Sequence, residues 1–413
     1  MNTRPPFQDR AADAARWLCV ASAFAVPLPA AWLSFTTGLF LIAWGLAGRL
    51  PLRWATIRQH PVGRLSLVLL LWMAVAIAWS PVEPKVGLAH WWHYRELLIV
   101  PLMLSLFDAD TARRWQPRVF TAFFIGFGIA LVTSFLRWTG VLPDMGFKGL
   151  YAGFGGRTGF SMLLAWAIFC AVEFGRDQPR FRLAWAALAL VCFANLFFIN
   201  TGRTGQIAFF TLVPLSLYHL AGRRGLVAGL LAIPVLAAGM YAASPAVRAR
   251  IAESAEHIAA YEAGHPYTGD GLRLEFIANA ADFIRQHPVF GGGTGSFAAE
   301  YKVVAEREGM TGERVADNPH NEYLMVWSQQ GLPGLALLIA LFLTQWRLSA
   351  RLDDLPARLN RGLVLLIAGG DLVNSLILDN LEGHLWALLT VALTAGIGTL
   401  AAQPPPSSTE SSR

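Results

Sequence analysis

Charge is scarce in this sequence. Only 15% of its 413 residues are Asp, Glu, Lys or Arg, whereas water-soluble chains average about 25%. Apolar residues reach 55% and the mean hydropathy is +0.45, so a soluble enzyme is excluded. Cysteine is scarcer still. Cys19, Cys170 and Cys192 are the only three, each inside an apolar segment; they read as small core residues and exclude a disulfide-stapled secreted scaffold. No internal repeat is visible. What the chain has in abundance is uncharged apolar sequence, in runs at 17–48, 65–82, 119–136, 183–202, 204–222, 225–247, 323–346 and 383–402. A bilayer-spanning helix needs about 20 such residues. The chain reads as an all-α polytopic membrane protein, and runs of this length exclude an outer-membrane barrel.

Pro27 and Pro29 divide the first run into helices at 17–29 and 31–48, read as uncleaved spans despite a signal-like Ala23-Phe24-Ala25. Further spans are expected at 63–81, 88–107, 118–138, 158–175, 182–200, 204–221, 225–243, 322–346, 361–379 and 383–402, about twelve in all. The net charge of +6 reflects arginines in short loops rather than a nucleic-acid surface. With the N-terminus inside, alternate loops collect the early arginines up to Arg64 and the clusters at 113–118, 176–182, 223–224 and 347–361. The short outer loops and helix ends hold only Lys85, Arg95, Arg137, Lys148, Arg157 and Arg203. Both termini are therefore expected in the cytoplasm. The chain divides into a cytoplasmic 1–16, spans over 17–243, one long outward loop at 244–321, spans over 322–402, and a Pro- and Ser-rich tail at 403–413 expected to be disordered. The long loop has helical periodicity over 246–262 and 272–286; Pro288 stops the second stretch and Gly291, Gly292, Gly293 and Gly295 form a turn. A loop of this length with its own helices is more often functional than a linker.

The six outer cations run against the orientation signal, which asks for an anionic partner. On that side of the membrane a lipid phosphate or diphosphate fits, because guanidinium groups grip it bidentately. Arg203 lies in the tight turn Asn200-Thr201-Gly202-Arg203-Thr204-Gly205, whose glycines would let backbone N–H groups approach an anion. The segment Asp317-Asn318-Pro319-His320-Asn321-Glu322-Tyr323-Leu324 places His320 at the mouth of a membrane helix. A neutral imidazole there can take a proton from a sugar hydroxyl, with nearby arginines keeping its pKa low; a capping or interfacial histidine is the plainer reading of the residue alone. His90 and His93 have helical spacing but no third ligand, which favours an aromatic belt over a metal site. Asp108-Ala109-Asp110 reads as a helix cap. Asp371 and Asn374 share one face of a span. Asp379, Glu382 and His384 crowd the outer end of the last two spans and are candidates to line the same cavity.

These residues resemble a known signature. His320-Asn321-Glu322-Tyr323-Leu324 with Gly331-Leu332-Pro333-Gly334-Leu335, Gly202-Arg203-Thr204-Gly205, and Pro288-Val289-Phe290-Gly291 through Gly295-Ser296-Phe297 are similar, in order and placement, to motifs of the O-antigen ligase and polymerase superfamily. The resemblance covers roughly residues 150–400. One position departs: Gln329 stands where relatives often carry an acid. The resemblance implies a membrane-embedded glycosyltransferase of GT-C type at the periplasmic face of the inner membrane. It would use undecaprenyl-diphosphate-linked O-antigen as donor, lipid A–core as acceptor, and no metal or other cofactor. By the same resemblance the essential arginine maps onto Arg203, the essential histidine onto His320 and a second arginine onto Arg273. The expected reaction is one inverting displacement in which these arginines, with Arg137, Arg157 and the rim residues Lys85 and Arg95, hold the diphosphate. His320 would act on the acceptor hydroxyl, with Asn321 in support. Within the superfamily the alternatives are a polymerase, or a protein O-oligosaccharyltransferase, which commonly carries an extra C-terminal domain where this chain has a short tail. The alternative of another class is a lipid-linked glycan transporter, which calls for repeats and midplane ionisable groups; Asp371 alone fits that pattern.

Overall fold

A computed structural model describes residues 6–144, 151–263, 269–307 and 317–397; Lys148 and the 403–413 tail lie outside them. All regular structure among the described residues is helical. The chain opens with α1 (Phe7–Ala25) and α2 (Ala30–Leu46), an antiparallel pair reversed at Val26–Pro29, where the two prolines withhold the N–H groups a continuous helix needs. A second reversal at Gly48 and Arg49, both left-handed (φ 58° and 55°), bends α3 (Leu50–Gln59) by 117° from α2. Then come α4 (Pro61–Val75), α5 (Pro84–Trp92), α6 (Glu96–Leu104) and α7 (Ala109–Trp138), the last capped by Asp108, which accepts from the Thr111 N–H at 2.8 Å. The central part of the chain forms α8 (Gly156–Asp177), α9 (Arg182–Ala194) and α10 (Arg203–Ala243).

The long segment that follows holds α11 (Pro245–Glu262), α12 (Gly269–Gln286) and α13 (Ser296–Arg307). The chain returns through α14 (Glu322–Leu348), α15 (Asp354–Gly370) and α16 (Asn380–Thr394). α13 is unannounced in the sequence; it begins directly after the glycine-rich stretch.

Among the described residues, six helical stretches are long and apolar enough to cross a bilayer: Pro61–Trp79, α7, α8, Pro179–Ile199, α10 and Glu322–Arg351, with α2 and α3 a seventh if taken as one broken span. The protein is a multi-pass α-helical membrane protein. The difference from about twelve has particular causes. α10 contains two of the expected spans, because Ala221 and Gly222 leave helical geometry and fold its second leg back until Gly225 meets the Leu217 carbonyl. The 88–107 stretch breaks between α5 and α6, and the 361–379 stretch stops being helical at Gly370. α8 is the axis of the bundle: 83% of its most apolar window is buried, against 6% for α10. Leu183, Leu190, Leu231 and Val235 therefore face outward as a lipid-contact surface. At one end of α8, buried Glu173 pairs with His219 (2.9 Å) and Arg358 (2.8 Å), fastening α8 to α10 and α15.

Candidate functional site

Two glycine motifs interlock beneath the long segment. α14 is broken at Gly331 (φ 67°), where a Cβ would lie 2.1 Å from the Val289 carbonyl. Opposite it, the Gly292 and Gly293 amides donate to the Ser328 and Gln329 carbonyls, both at 2.8 Å. The Gln329 side chain accepts from the Gly295 amide and meets His90 Nε2 at 3.1 Å. This buried glutamine thus ties the glycine turn to α5, and His90 and His93 stack at 6.2 Å as part of that wall. With the turn fixed, α12 and α13 pack Phe276, Phe283, Phe297 and Tyr301 into a core of their own against α14.

His320 sits at the junction. Its backbone is left-handed (φ 54°), uncommon for a non-glycine residue. The Asn318 carboxamide oxygen accepts from both the His320 amide (2.7 Å) and the Ser375 hydroxyl (2.8 Å). The non-helical 371–379 segment supplies the opposing wall, and Asn374 presents Oδ1 to His320 Nδ1 at 3.1 Å. Asn374 donates its own N–H to Asp379 Oδ2 at 3.2 Å. Its oxygen is therefore the atom facing the ring, so Nδ1 carries the proton and Nε2 keeps its lone pair. Burial, reinforced by the positive charge of Arg273, pulls the His320 pKa below its ordinary value against the raising effect of Asn374.

A cavity of about 890 Å3 opens beside this histidine. Arg157 from the first turn of α8, Arg203 from the first turn of α10, Arg250 from α11 and Arg273 from α12 all line it, with Asp379 and Glu382 on the α16 side. Val26, Leu28, Ala30 and Leu33 form an apolar wall at the α1–α2 reversal. Arg203 donates to Ser254 Oγ at 2.7 Å and pairs with Asp270 at the start of α12. Burial favours the neutral form of Asp270, but Arg203, Ser254 and Arg273 outweigh it and hold the carboxyl below the usual range. Arg273 is itself half-buried, its pKa lowered by that burial and by Arg203. Four guanidinium groups line one chamber, Arg203 paired with Asp270 and Arg250 with Glu253 (2.6 Å), an arrangement chemically suited to a multiply charged anion.

Of the residues expected from sequence, His320, Arg203, Arg273, Arg157, Asp379 and Glu382 line this cavity; Arg137, Arg95, Lys85, Asn321 and His384 do not. Arg137 donates to the Ala152 and Gly153 carbonyls and lies over the Phe154 ring at 5.5 Å, holding the backbone that leads into the cavity wall. Arg95 pairs with Glu96 at 3.2 Å and bonds Asn380 from behind. Lys85 is exposed on α5. Asn321 caps α14, accepting from the Leu324 amide at 3.0 Å and donating to the Leu372 carbonyl at 2.9 Å. His384 is buried, its Nδ1 hydrogen-bonded to the Asn380 carbonyl (2.7 Å) and lying 2.8 Å from Glu96 Oε1. The glycines around Arg203 also differ from expectation. A Cβ at Gly202 would lie 2.5 Å from Ser161, one at Gly205 would lie 2.3 Å from its carbonyl, and the Gly205 amide donates to Ser161 Oγ. They seat α10 against α8, and their own amides are taken by the Asn200 carbonyl (2.8 Å) and Ser161 Oγ (3.1 Å).

Sequence reasoning missed Arg250, because basic residues in a long loop carry no sidedness signal. It also noted Asn374 only as a neighbour of Asp371; its partner lies 54 residues away. Asp270 gave no signal at all.

A search of curated proteins finds no match to this chain. Residues 188–339 match the family model described as O-antigen ligase, a stretch running from within α9 to within α14 and containing Arg203, Arg250, Arg273 and His320. Over that stretch the chain is similar to the O-antigen ligase family.

Proposed function

We propose that this protein is an O-antigen ligase: it transfers O-antigen from undecaprenyl diphosphate to a sugar hydroxyl of lipid A–core at the periplasmic face of the inner membrane. The observation carrying this reading is the single cavity that joins Arg157, Arg203, Arg250 and Arg273 to a histidine whose Nδ1 is held by Asn374 Oδ1. The arginines grip the donor diphosphate, and the prenyl chain leaves along the apolar Val26–Leu33 wall toward lipid. The acceptor hydroxyl oxygen attacks the anomeric carbon as the bond from that carbon to the diphosphate oxygen breaks, with inversion. The hydroxyl proton passes to His320 Nε2, and the negative charge developing on the leaving diphosphate is stabilised by guanidinium groups already in place. The reaction as drawn needs no metal.

The test is a reconstitution of purified protein with undecaprenyl-diphosphate O-glycan and lipid A–core, in EDTA and without nucleotide, read as a mass shift of the lipopolysaccharide. A ladder on lipid A–core, lost in Arg203→Ala and His320→Ala, is expected. Glycan lengthening on undecaprenyl diphosphate alone would make the protein a polymerase. No covalent product on either lipid would overturn the transferase reading and turn attention to transport.

A further inference from the structure

At the opposite end of α1 from the large cavity, some 27 Å away at about 1.5 Å per residue, lies a second pocket of about 300 Å3. It is enclosed by the start of α1, the α2–α3 reversal and the Ser105–Asp108 segment, and contains Arg16, Arg49 and Arg53. Three aspartates also line it, each with a partner of its own. Asp13 pairs with Arg16 at 2.6 Å, Asp9 with Arg49 at 2.9 Å, and Asp108 accepts from the Thr111 amide. Arg53 differs from all of these. It is only 6% exposed, its Nε donates to the Gly48 carbonyl at 2.6 Å and its guanidinium lies 5.7 Å from the Trp44 ring centroid, but its Nη1 is buried with no hydrogen-bond partner among the described residues. A buried charged donor left unpaired is strongly unfavourable, so the pocket is built around an anion.

The setting identifies the anion's source. α3 carries Arg53 inward while Leu50, Leu52 and Trp54 on the same helix are 57%, 64% and 49% exposed. The 117° bend from α2 lays it across the end of the bundle with these apolar side chains outward. We propose that this pocket binds the phosphodiester headgroup of a phospholipid in the leaflet opposite His320, with Arg53 Nη1 and Arg49 as the donors and α3 lying among the acyl chains. The site is separate from the transfer chemistry and independent of it.

Native mass spectrometry of the delipidated full-length protein tests this, titrated separately with phosphatidylglycerol, with diacylglycerol of the same chains, and with inorganic phosphate. One tightly retained phosphatidylglycerol is expected, with retention falling about tenfold in Arg53→Gln, the scale of one charge-assisted hydrogen bond. Arg49→Gly guards against a folding defect, since that position already has glycine-like backbone and an exposed side chain; it too should weaken retention. Equal retention in wild type and both variants would overturn the proposal, showing only annular lipid. Binding of inorganic phosphate or diacylglycerol as strong as that of phosphatidylglycerol would overturn the headgroup assignment.

Discussion

The left-handed backbone of His320 costs energy that its surroundings must offset, and they do so with contacts that also choose the ring's tautomer. Asn318 holds the amide, and Asn374 holds Nδ1 while being held by Asp379. His320→Ala should lower transfer about 10²- to 10⁴-fold, the usual contribution of a general base, while the protein still extracts and elutes as wild type. Because burial and Arg273 depress the His320 pKa, the neutral base persists below the ordinary histidine value near 6.5. Activity should therefore hold as pH falls through that value and decline only in more acidic buffer. Asn374→Asp would place a carboxylate against Nδ1 and favour the imidazolium, moving the acid limb of the pH–rate profile upward. An unmoved limb would remove His320 from the proton step. At Arg203, lysine keeps the charge but loses the planar fork; Arg203→Lys should lose roughly 10- to 100-fold in kcat/KM, on the scale of one electrostatic stabiliser.

At the scale of helices, the site depends on where elements stop. Gly331 interrupts α14 so that the 288–295 turn can dock, and the end of α15 at Gly370 releases the segment carrying Asn374 and Asp379 to meet His320. Gly126 lets α7 cross α1, since a Cβ there would lie 2.1 Å from the Phe24 carbonyl; Gly128, two residues along the same helix, has open space. Gly126→Ala should destabilise the protein by about 1–3 kcal/mol, as overpacking does. Gly128→Ala should be neutral or stabilising by up to about 1 kcal/mol, because alanine is the better helix former. Thermal unfolding in detergent separates the two. Helical periodicity marked α11 and α12 in the sequence, and proline and glycine marked most of the stops. The break between α5 and α6 was not legible, because His93-Tyr94-Arg95 contains no residue that forbids a helix; packing against the rest of the bundle imposes it.

For the whole molecule, the arrangement of charge and apolar surface predicts sidedness. The native cysteines are at most 2% exposed, so thiol reagents should miss them in the folded protein. Glu306→Cys on α13 should react with a membrane-impermeant maleimide added to intact spheroplasts. Arg224→Cys, at the turn between the legs of α10, should react only after the membrane is opened. The reverse pattern would invert the topology and move His320 to the cytoplasm.

The residues alone determined the class of the protein and singled out two candidate residues, because hydropathy, charge sidedness and short motifs are local properties that survive without knowing the fold. His320 and Arg203 stood out for that reason. Convergence is not local. Only the tertiary structure decided that Arg157, Arg250 and Arg273 share one chamber with them while Arg137, Arg95, Lys85, Asn321 and His384 serve its walls. A guanidinium binds whichever acceptor the packing brings to it, carbonyl, carboxylate or ligand, and nothing in the surrounding sequence says which.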